Sequence, residues 1–211
     1  MTKITHCEPG SIEKQSFAII TSLLGDRAFP PEQEGIIKRT IHTSADFDYA
    51  DNLRFGNDPV KAGVAALKKG CTVYTDTRMA FSGINQKNLT RFSCEKACYI
   101  DDPAVAKEAA ERGVTRATVA MEKAMAQEGV KIFAIGNAPT ALIALYQRIK
   151  EGGLRPDLII GVPVGFVNVV ESKELIMTLD IPYIVAEGRK GGSNIAAAIV
   201  NGLLLEAMKE A

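Results

Sequence analysis

Apolar runs alternate with amphipathic stretches over most of this chain, and their spacing predicts most of its secondary structure. Five short apolar runs predict strands at 71–75, 94–100, 130–135, 157–162 and 181–186. Helical periodicity follows each run, at about 77–82, 104–127 with a break at Gly113, 138–150, 169–179 and 193–209. Strands and helices that alternate in this way form a parallel sheet with helices on both faces.

The first 70 residues carry helical patterns instead. These patterns predict a first helix at 11–24 that ends at Gly25, a second at 30–43 and a third at 58–70. Segment 44–57 is polar and aromatic, and it predicts a loop with a possible short strand. One face of the first helix consists of Ile12, Ser16, Ile19, Ile20 and Leu23.

The second predicted strand carries Glu95 and Lys96, which are unusual in a strand that is buried on both faces. We therefore expect it at an edge of the sheet, in the strand order 2-1-3-4-5. The expected α/β fold is a flavodoxin-like, doubly wound parallel sheet of five strands with an N-terminal helical extension. We expect one domain over residues 1–211, with a helical part at 1–70 and five β-α units at 71–211.

The composition is that of a globular protein, with 46% hydrophobic and 24% charged residues. Lys and Arg together number 25 and so do Asp and Glu, so the chain lacks the basic excess that is typical of nucleic-acid binding. No apolar stretch reaches the ~20 residues of a membrane span. We expect neither nucleic acid nor a membrane as a partner.

The cysteines indicate a reducing compartment. They are Cys7, Cys71, Cys94 and Cys98. Because the N-terminal segment lacks the apolar core of a signal peptide, we expect reduced thiols in a cytoplasmic protein. Zinc sites usually combine two cysteine pairs or add histidines, and this chain has only His6 and His42. The sequence therefore predicts no metal site.

Polar and glycine-rich loops follow the predicted strands, at the edge where doubly wound sheets bind ligands. The residues of interest in these loops are Asp76, Thr77, Asn137, Arg189, Lys190, Gly191, Gly192 and Ser193. Each loop alone has a plain structural explanation, since Asn137 and Ser193 are possible N-caps and glycines permit tight turns. Together they favour a ligand site, and the 188–193 loop, GRKGGS, offers cations and backbone N–H groups to carboxylates or phosphates. Neither a Walker loop nor a dinucleotide fingerprint is present.

Three further side chains have two interpretations each. His42, at the end of the second helix, is either a histidine that the helix dipole favours or a titrating acid. Arg116 begins a helix, where a cation opposes the dipole, so it is either solvated or paired with an anionic ligand. Asp76 is either a buried acid or a turn residue.

At these positions the sequence resembles the precorrin-8X methylmutase family, called cobalt-precorrin-8 methylmutases in the anaerobic pathway. The matching segments are 16–20 (SFAII), 41–42 (IH), 115–116 (TR), 134–142 (AIGNAPTAL), 162–167 (VPVGFV), 171–173 (ESK) and 188–193 (GRKGGS). They occur in one order over nearly the whole chain, whereas segment 44–57 and the last few residues match less clearly.

The resemblance implies a flavodoxin-like fold and a homodimer with an active site near the subunit interface. It implies that His42 is catalytic, and that Arg116 and Ser16, the latter from the partner's N-terminal helix, contact the substrate. Further expected contacts come from the strand-end loops, at Asp76, Thr77, Asn137 and Gly191 to Ser193. Arg189 and Lys190 are expected to pair with substrate carboxylates.

The reaction that the resemblance implies moves a methyl group from C11 to C12 of a tetrapyrrole. It is formally a suprafacial 1,5-sigmatropic shift, so we expect no cofactor, and any cobalt enters with the substrate. Two other functions stay open: a non-catalytic module that binds a flavin or another planar anion, and an oligomerisation domain without a ligand. The absorption spectrum of the purified protein separates a bound flavin from a tetrapyrrole.

Overall fold

The computed structural model of the protein describes residues 8–209, so His6 and Cys7 lie outside the described part. A 3-10 turn at Pro9–Ser11 comes first. The helices are α1 (Ile12–Leu24), α2 (Pro31–Ser44), α3 (Tyr49–Asn52), α4 (Pro59–Lys68), α5 (Arg78–Gly83), α6 (Gln86–Arg91), α7 (Pro103–Arg112), α8 (Arg116–Met125), α9 (Pro139–Lys150), α10 (Val169–Met177) and α11 (Ser193–Lys209). The strands are β1 (Leu53–Gly56), β2 (Thr72–Thr75), β3 (Glu95–Ala97), β4 (Val130–Ile135), β5 (Leu158–Gly161) and β6 (Tyr183–Ala186).

Glycines end helices where the sequence predicts it. Gly25 follows α1 with φ 61°, and Gly113 separates α7 from α8 with φ 63°. Both values lie in the left-handed region, which costs glycine no steric strain. The predicted break at Gly113 is therefore confirmed.

The six strands form one sheet in the order β1-β6-β5-β4-β2-β3. Neighbours from β3 to β6 run parallel. Among the five strands predicted from apolar runs, the order is 2-1-3-4-5, as expected, and the charged strand β3 lies at an edge.

The expected count of five strands is wrong, because β1 adds a sixth. It pairs antiparallel to β6, with Leu53 opposite Ala186 and Gly56 opposite Tyr183. A side chain at Gly56 would displace the ring of Tyr183, since an added Cβ would lie 2.1 Å from its Cζ. Segment 1–70 therefore contributes to the sheet, through a strand within 44–57, where the sequence predicts a possible short strand.

Helices cover both faces of the sheet, and successive strand residues point to opposite layers. In β4, Ile132 and Ala134 face the layer of α2, α4, α5 and α11, while Phe133 and Ile135 face α8, α9 and α10. All four of these β4 side chains are fully buried. Within residues 8–209, no helix combines the length and hydropathy needed to cross a bilayer.

Helix α1 lies outside these layers and packs on α2. Ile20 and Leu24 are buried in this contact. Ile12, Ile19 and Leu23 are 52%, 60% and 67% exposed, although the sequence places them on one face with Ile20. The apolar face of α1 is therefore divided, and most of it is uncovered by any other part of residues 8–209.

Candidate active site

The carboxylate of Asp76 joins the end of β2 to the end of β4 by hydrogen bonds. Its Oδ1 accepts a hydrogen bond from the N–H of Gly136 at 2.9 Å, and its Oδ2 accepts from Asn137 and Ala138 at 2.8 Å each. Asp76 is 1% exposed, and burial raises its pKa while the three N–H donors oppose that shift. Both of its oxygens are used by the backbone. These contacts give Asp76 a structural role at this edge of the sheet, and its expected substrate contact stays a prediction.

Thr77 and Ser193 join the loop after β2 to the start of α11. Their hydroxyl oxygens are 2.7 Å apart, and Oγ1 of Thr77 also accepts the N–H of Ala80 as the N-cap of α5. Gly136 approaches the same point, since an added Cβ there would lie 2.6 Å from Cα of Ser193. Ser193 is the first residue of α11.

The 188–193 loop packs directly on the loop that follows β5. The N–H of Gly192 donates to the carbonyl of Val162 at 2.8 Å, and the N–H of Gly165 donates to the carbonyl of Arg189 at 3.2 Å. An added Cβ at Gly191 would lie 2.1 Å from the same Val162 oxygen. The two loops therefore meet backbone to backbone, and only a residue without a side chain fits at Gly191.

A buried lysine holds the 188–193 loop from below. Nζ of Lys173, on α10, donates to the carbonyls of Gly188 and Lys190 at 2.8 Å each. Lys173 is 1% exposed, and burial lowers its pKa to about 8. Its motif, ESK, was part of the family resemblance, but its position beneath this loop was not expected from the sequence.

Lys190 does not offer the free cation that the sequence predicts. Its Nζ lies 2.6 Å from Oδ2 of both Asp46 and Asp48, in the segment that follows α2. These carboxylates raise the pKa of Lys190, and the hydrogen bond from Lys190 lowers the pKa of Asp46. The expected pairing of Lys190 with a substrate carboxylate stays a prediction, in competition with these two carboxylates of its own chain.

Three polar side chains are exposed at the edge of the sheet where the parallel strands end, which is the rim of the candidate site. They are those of Arg116, Asn137 and Arg189. Arg116 begins α8, whose N-cap Thr115 has its hydroxyl 2.8 Å from that of Thr140. This contact places Arg116 beside the start of α9, close to Asn137. Within residues 8–209, neither Arg116 nor Arg189 forms an ion pair, so both guanidinium groups can bind an anion.

His42 lies in the last turn of α2 and is exposed. It lines a cleft of about 230 Å³ between α2, α5 and α11. Its ring centroid is 5.3 Å from that of Phe17 on α1, and Cζ of Arg39 lies 5.3 Å from the same phenyl ring. The other residues of the cleft are Arg39, Thr43, Met79, Gly83, Asn194, Ala197, Ala198 and Asn201.

These contacts connect the His42 cleft to several of the predicted loop residues. The His42 cleft includes Asn194, which follows Ser193, and Ser193 contacts Thr77 and approaches Gly136. Ser16 is different, because it lies on the outward stripe of α1, where its hydroxyl donates to the carbonyl of Ile12 at 2.9 Å.

Sequence reasoning missed Arg39, Met79 and Asn194 as residues of the cleft. Arg39 precedes His42 by three positions, so helical spacing places both on one face of α2. Met79 and Asn194 each follow a predicted site residue by one or two positions. Across the described range 8–209, no three His, Cys, Asp or Glu side chains are grouped so that they could hold a metal ion.

Comparison with known proteins identifies the fold and the family. The sequence model of the family described as precorrin-8X methylmutase matches residues 11–206. The chain belongs to this family. It is therefore an isomerase of the family that carries out the methylmutase step of cobalamin biosynthesis.

Individual methylmutases agree over nearly their full lengths. The cobalt-precorrin-8 methylmutase of Salmonella typhimurium is 46% identical over 203 residues, which cover 93% of this chain and 95% of that protein. The precorrin-8X methylmutase of Pseudomonas aeruginosa is 37% identical over 93% of this chain and 95% of its own. The crystal structure of precorrin-8X methylmutase from Thermus thermophilus superposes with a TM-score of 0.88 at 37% identity, covering 95% and 97% of the two chains.

Replacement of Asp76 tests its structural role in this methylmutase. Asp76→Asn should lower the free energy of unfolding by about 1–3 kcal/mol, because an amide N–H₂ then faces backbone donors in a buried position. Asp101→Asn is the matched control, since Asp101 is an exposed partner of Arg78, and it should cost less than about 1 kcal/mol. Urea unfolding measures both values, and an equal loss in the two variants would contradict the assignment.

The pKa of Lys173 predicts a pH-dependent contribution to stability. An unfolded lysine has a pKa of 10.5, whereas burial lowers the folded value to about 8. Between these values the unfolded state binds more protons, so stability should rise with pH.

This dependence can be isolated with Lys173→Met. The unfolding free energy of the wild type minus that of the variant should increase by about 1–3 kcal/mol between pH 8 and pH 10. Urea titrations of both proteins at each pH give this difference, in which the titrations of other groups cancel. Lys107→Met, on the exposed face of α7, is the control and should show no such trend. A pH-independent difference for Lys173→Met would show that its ammonium is not destabilised by burial.

Proposed function

We propose that this protein converts precorrin-8X or cobalt-precorrin-8 into hydrogenobyrinate or cobyrinate by moving a methyl group from C11 to C12. Membership of the methylmutase family supports the substrate class. The exposed imidazole of His42, in a cleft beside the strand-end loops, is the observation that supports the mechanism.

In the proposed mechanism His42 acts as a general acid. Its imidazolium donates a proton to the bound macrocycle, which makes the π-system electron-poor. The C11–CH₃ bond then breaks as the C12–CH₃ bond forms, and the proton returns to His42. No electrons are exchanged with another molecule, so the proposal includes no redox cofactor, and cobalt, where present, belongs to the substrate.

In this proposal, exposed groups at the rim bind the carboxylates of the substrate. Arg116 and Arg189 are exposed cations at the rim, and Asn137 supplies an exposed amide. Thr77 and the 191–193 segment lie beside them, but the Thr77 hydroxyl already contacts Ser193 and the Gly192 N–H is bound to Val162. Exposed ion pairs contribute only about 0–1 kcal/mol each. Burial of the macrocycle surface therefore supplies much of the binding free energy.

We also propose that two copies of the chain complete each site. The His42 cleft measures about 230 Å³, which is below the roughly 300–1,000 Å³ of sites for drug-sized ligands. One copy thus leaves most of a tetrapyrrole uncovered. The exposed stripe of Ile12, Ile19 and Leu23 on α1 is an apolar surface that a second copy would bury, and it carries Ser16 between Ile12 and Ile19.

Turnover by variants of His42 and Arg116 tests the proposed mechanism. His42→Ala should lower kcat by about 10²–10⁴-fold, the usual contribution of a positioned general acid. Arg116→Ala should instead raise KM and the Kd of the product, with a smaller effect on kcat, because it binds a carboxylate.

The measurement is the absorbance change on incubation with precorrin-8 or its cobalt form. Asp101→Asn serves as the control for general damage to the fold. Wild-type turnover by His42→Ala would disprove the acid role, and the absence of turnover by the wild type on both substrates would disprove the proposed activity.

The proposed dimer depends on the α1 stripe. Ile19→Glu should dissociate it, because a charge would be buried in an apolar contact, and activity should fall in parallel. Thr21→Glu places the same charge on the opposite side of α1 and should leave the assembly intact. Sedimentation velocity gives the mass of both variants, and a monomeric wild type would contradict the proposal directly.

A further inference from the structure

Lys190 is bound by two carboxylates of its own chain, and this changes what it can do in the site. The ammonium contacts Asp46 and Asp48 at 2.6 Å each. The three groups together carry a net charge of −1. An anionic substrate could reach only the third N–H of this ammonium and would meet the net negative charge of the cluster, so the fold leaves Lys190 poorly suited to that task.

The carboxylates that hold Lys190 are fixed by the turn that ends α2. Ala45 adopts left-handed backbone angles of φ 54° and ψ 22°, and its N–H donates to the carbonyl of Ile41 at 2.7 Å. The N–H of Asp46 donates to Oγ of Ser44, and Oδ1 of Asp46 accepts the N–H of Asp48 at 3.0 Å. Since a left-handed alanine is unfavourable, this turn depends on the contacts around it. His42 lies three residues before Ala45.

The other end of the contact is anchored to the sheet. The carbonyl of Lys190 accepts a hydrogen bond from buried Lys173, and the N–H of Gly192 is bound to the carbonyl of Val162. The backbone at Lys190 is thus held on both sides. Single exposed ion pairs contribute little, but a charge network on a fixed backbone contributes more.

We propose that Lys190 is a positioning residue, which ties the turn after His42 to the 188–193 loop instead of binding substrate carboxylates. This inference rests on the proposed function only for the identity of His42 as the acid. The contact sets where the end of α2 lies relative to α11, and these two helices form walls of the His42 cleft. Arg189, in the same loop, is left to bind the anionic rim of the substrate.

Turnover kinetics separate positioning from binding. Lys190→Met should lower kcat by roughly 10-fold, since small displacements of a catalytic group are costly, and should change KM by less than about 3-fold. The double variant Asp46→Asn with Asp48→Asn should have the same effect. Combining all three substitutions should cost no more than either alone, because they remove one interaction. Lys190→Arg should restore most of kcat.

Lys107→Met is the control, because it removes a lysine from another exposed ion pair, with Glu111 on α7. A raised KM with unchanged kcat in Lys190→Met, together with additive effects of the carboxylate variants, would show that Lys190 binds substrate and would overturn the proposal.

Hydrogen exchange provides a test that does not depend on turnover. Amides of residues 45–48 should exchange faster in Lys190→Met than in the wild type or in Lys107→Met, because the turn loses its anchor. Unchanged exchange in this segment would overturn the proposal even if the enzyme is active. Faster exchange in a protein that fails to convert either substrate would support the positioning role and count against the proposed function alone.

Discussion

The site depends on one buried carboxylate, that of Asp76, which accepts hydrogen bonds from three consecutive backbone N–H groups at the end of β4. This contact fixes the gap between β2 and β4. Thr77, the next residue, then reaches Ser193, and Gly136 lies against the start of α11. Three loops that are far apart in sequence are thereby placed at one edge of the sheet. An acid in such a loop is easily interpreted as a ligand-binding group, yet this carboxylate binds backbone N–H groups and holds the loops of the rim in place.

Much of the polar chemistry near the rim serves the fold in the same way. Lys173 donates hydrogen bonds to loop carbonyls, and Lys190 pairs with Asp46 and Asp48. The exposed Arg116, Arg189 and Asn137 are what remain for a ligand. The division follows from burial, because a charge removed from water needs partners, and the nearest partners belong to the chain itself. Residue type alone thus overstates how many charged groups the fold leaves available to a ligand.

The sequence predicts those parts of the fold that local patterns determine. The runs at β4 and β5 are buried on both faces and are almost continuously apolar, so both strands and their central positions follow directly. Strand β1 has only four residues of mixed polarity, and its pairing with β6 is set by contacts across more than a hundred residues. Likewise, the motifs indicate that His42 and the 188–193 loop belong to a site. The contact of Lys190 with Asp46 connects residues 144 positions apart, and no local pattern encodes it.

Gly136 and Gly191 show how such a rim constrains the evolution of its enzyme. At both positions the space for a Cβ is already taken by backbone atoms of a neighbouring loop, which no choice of rotamer can move aside. New substrate preferences therefore cannot arise by adding side chains there. Variation is confined to projecting positions such as Arg189 and Phe166, the latter 85% exposed. A library for directed evolution should therefore randomise those two positions. The two glycines should be kept, because any side chain there would clash with backbone.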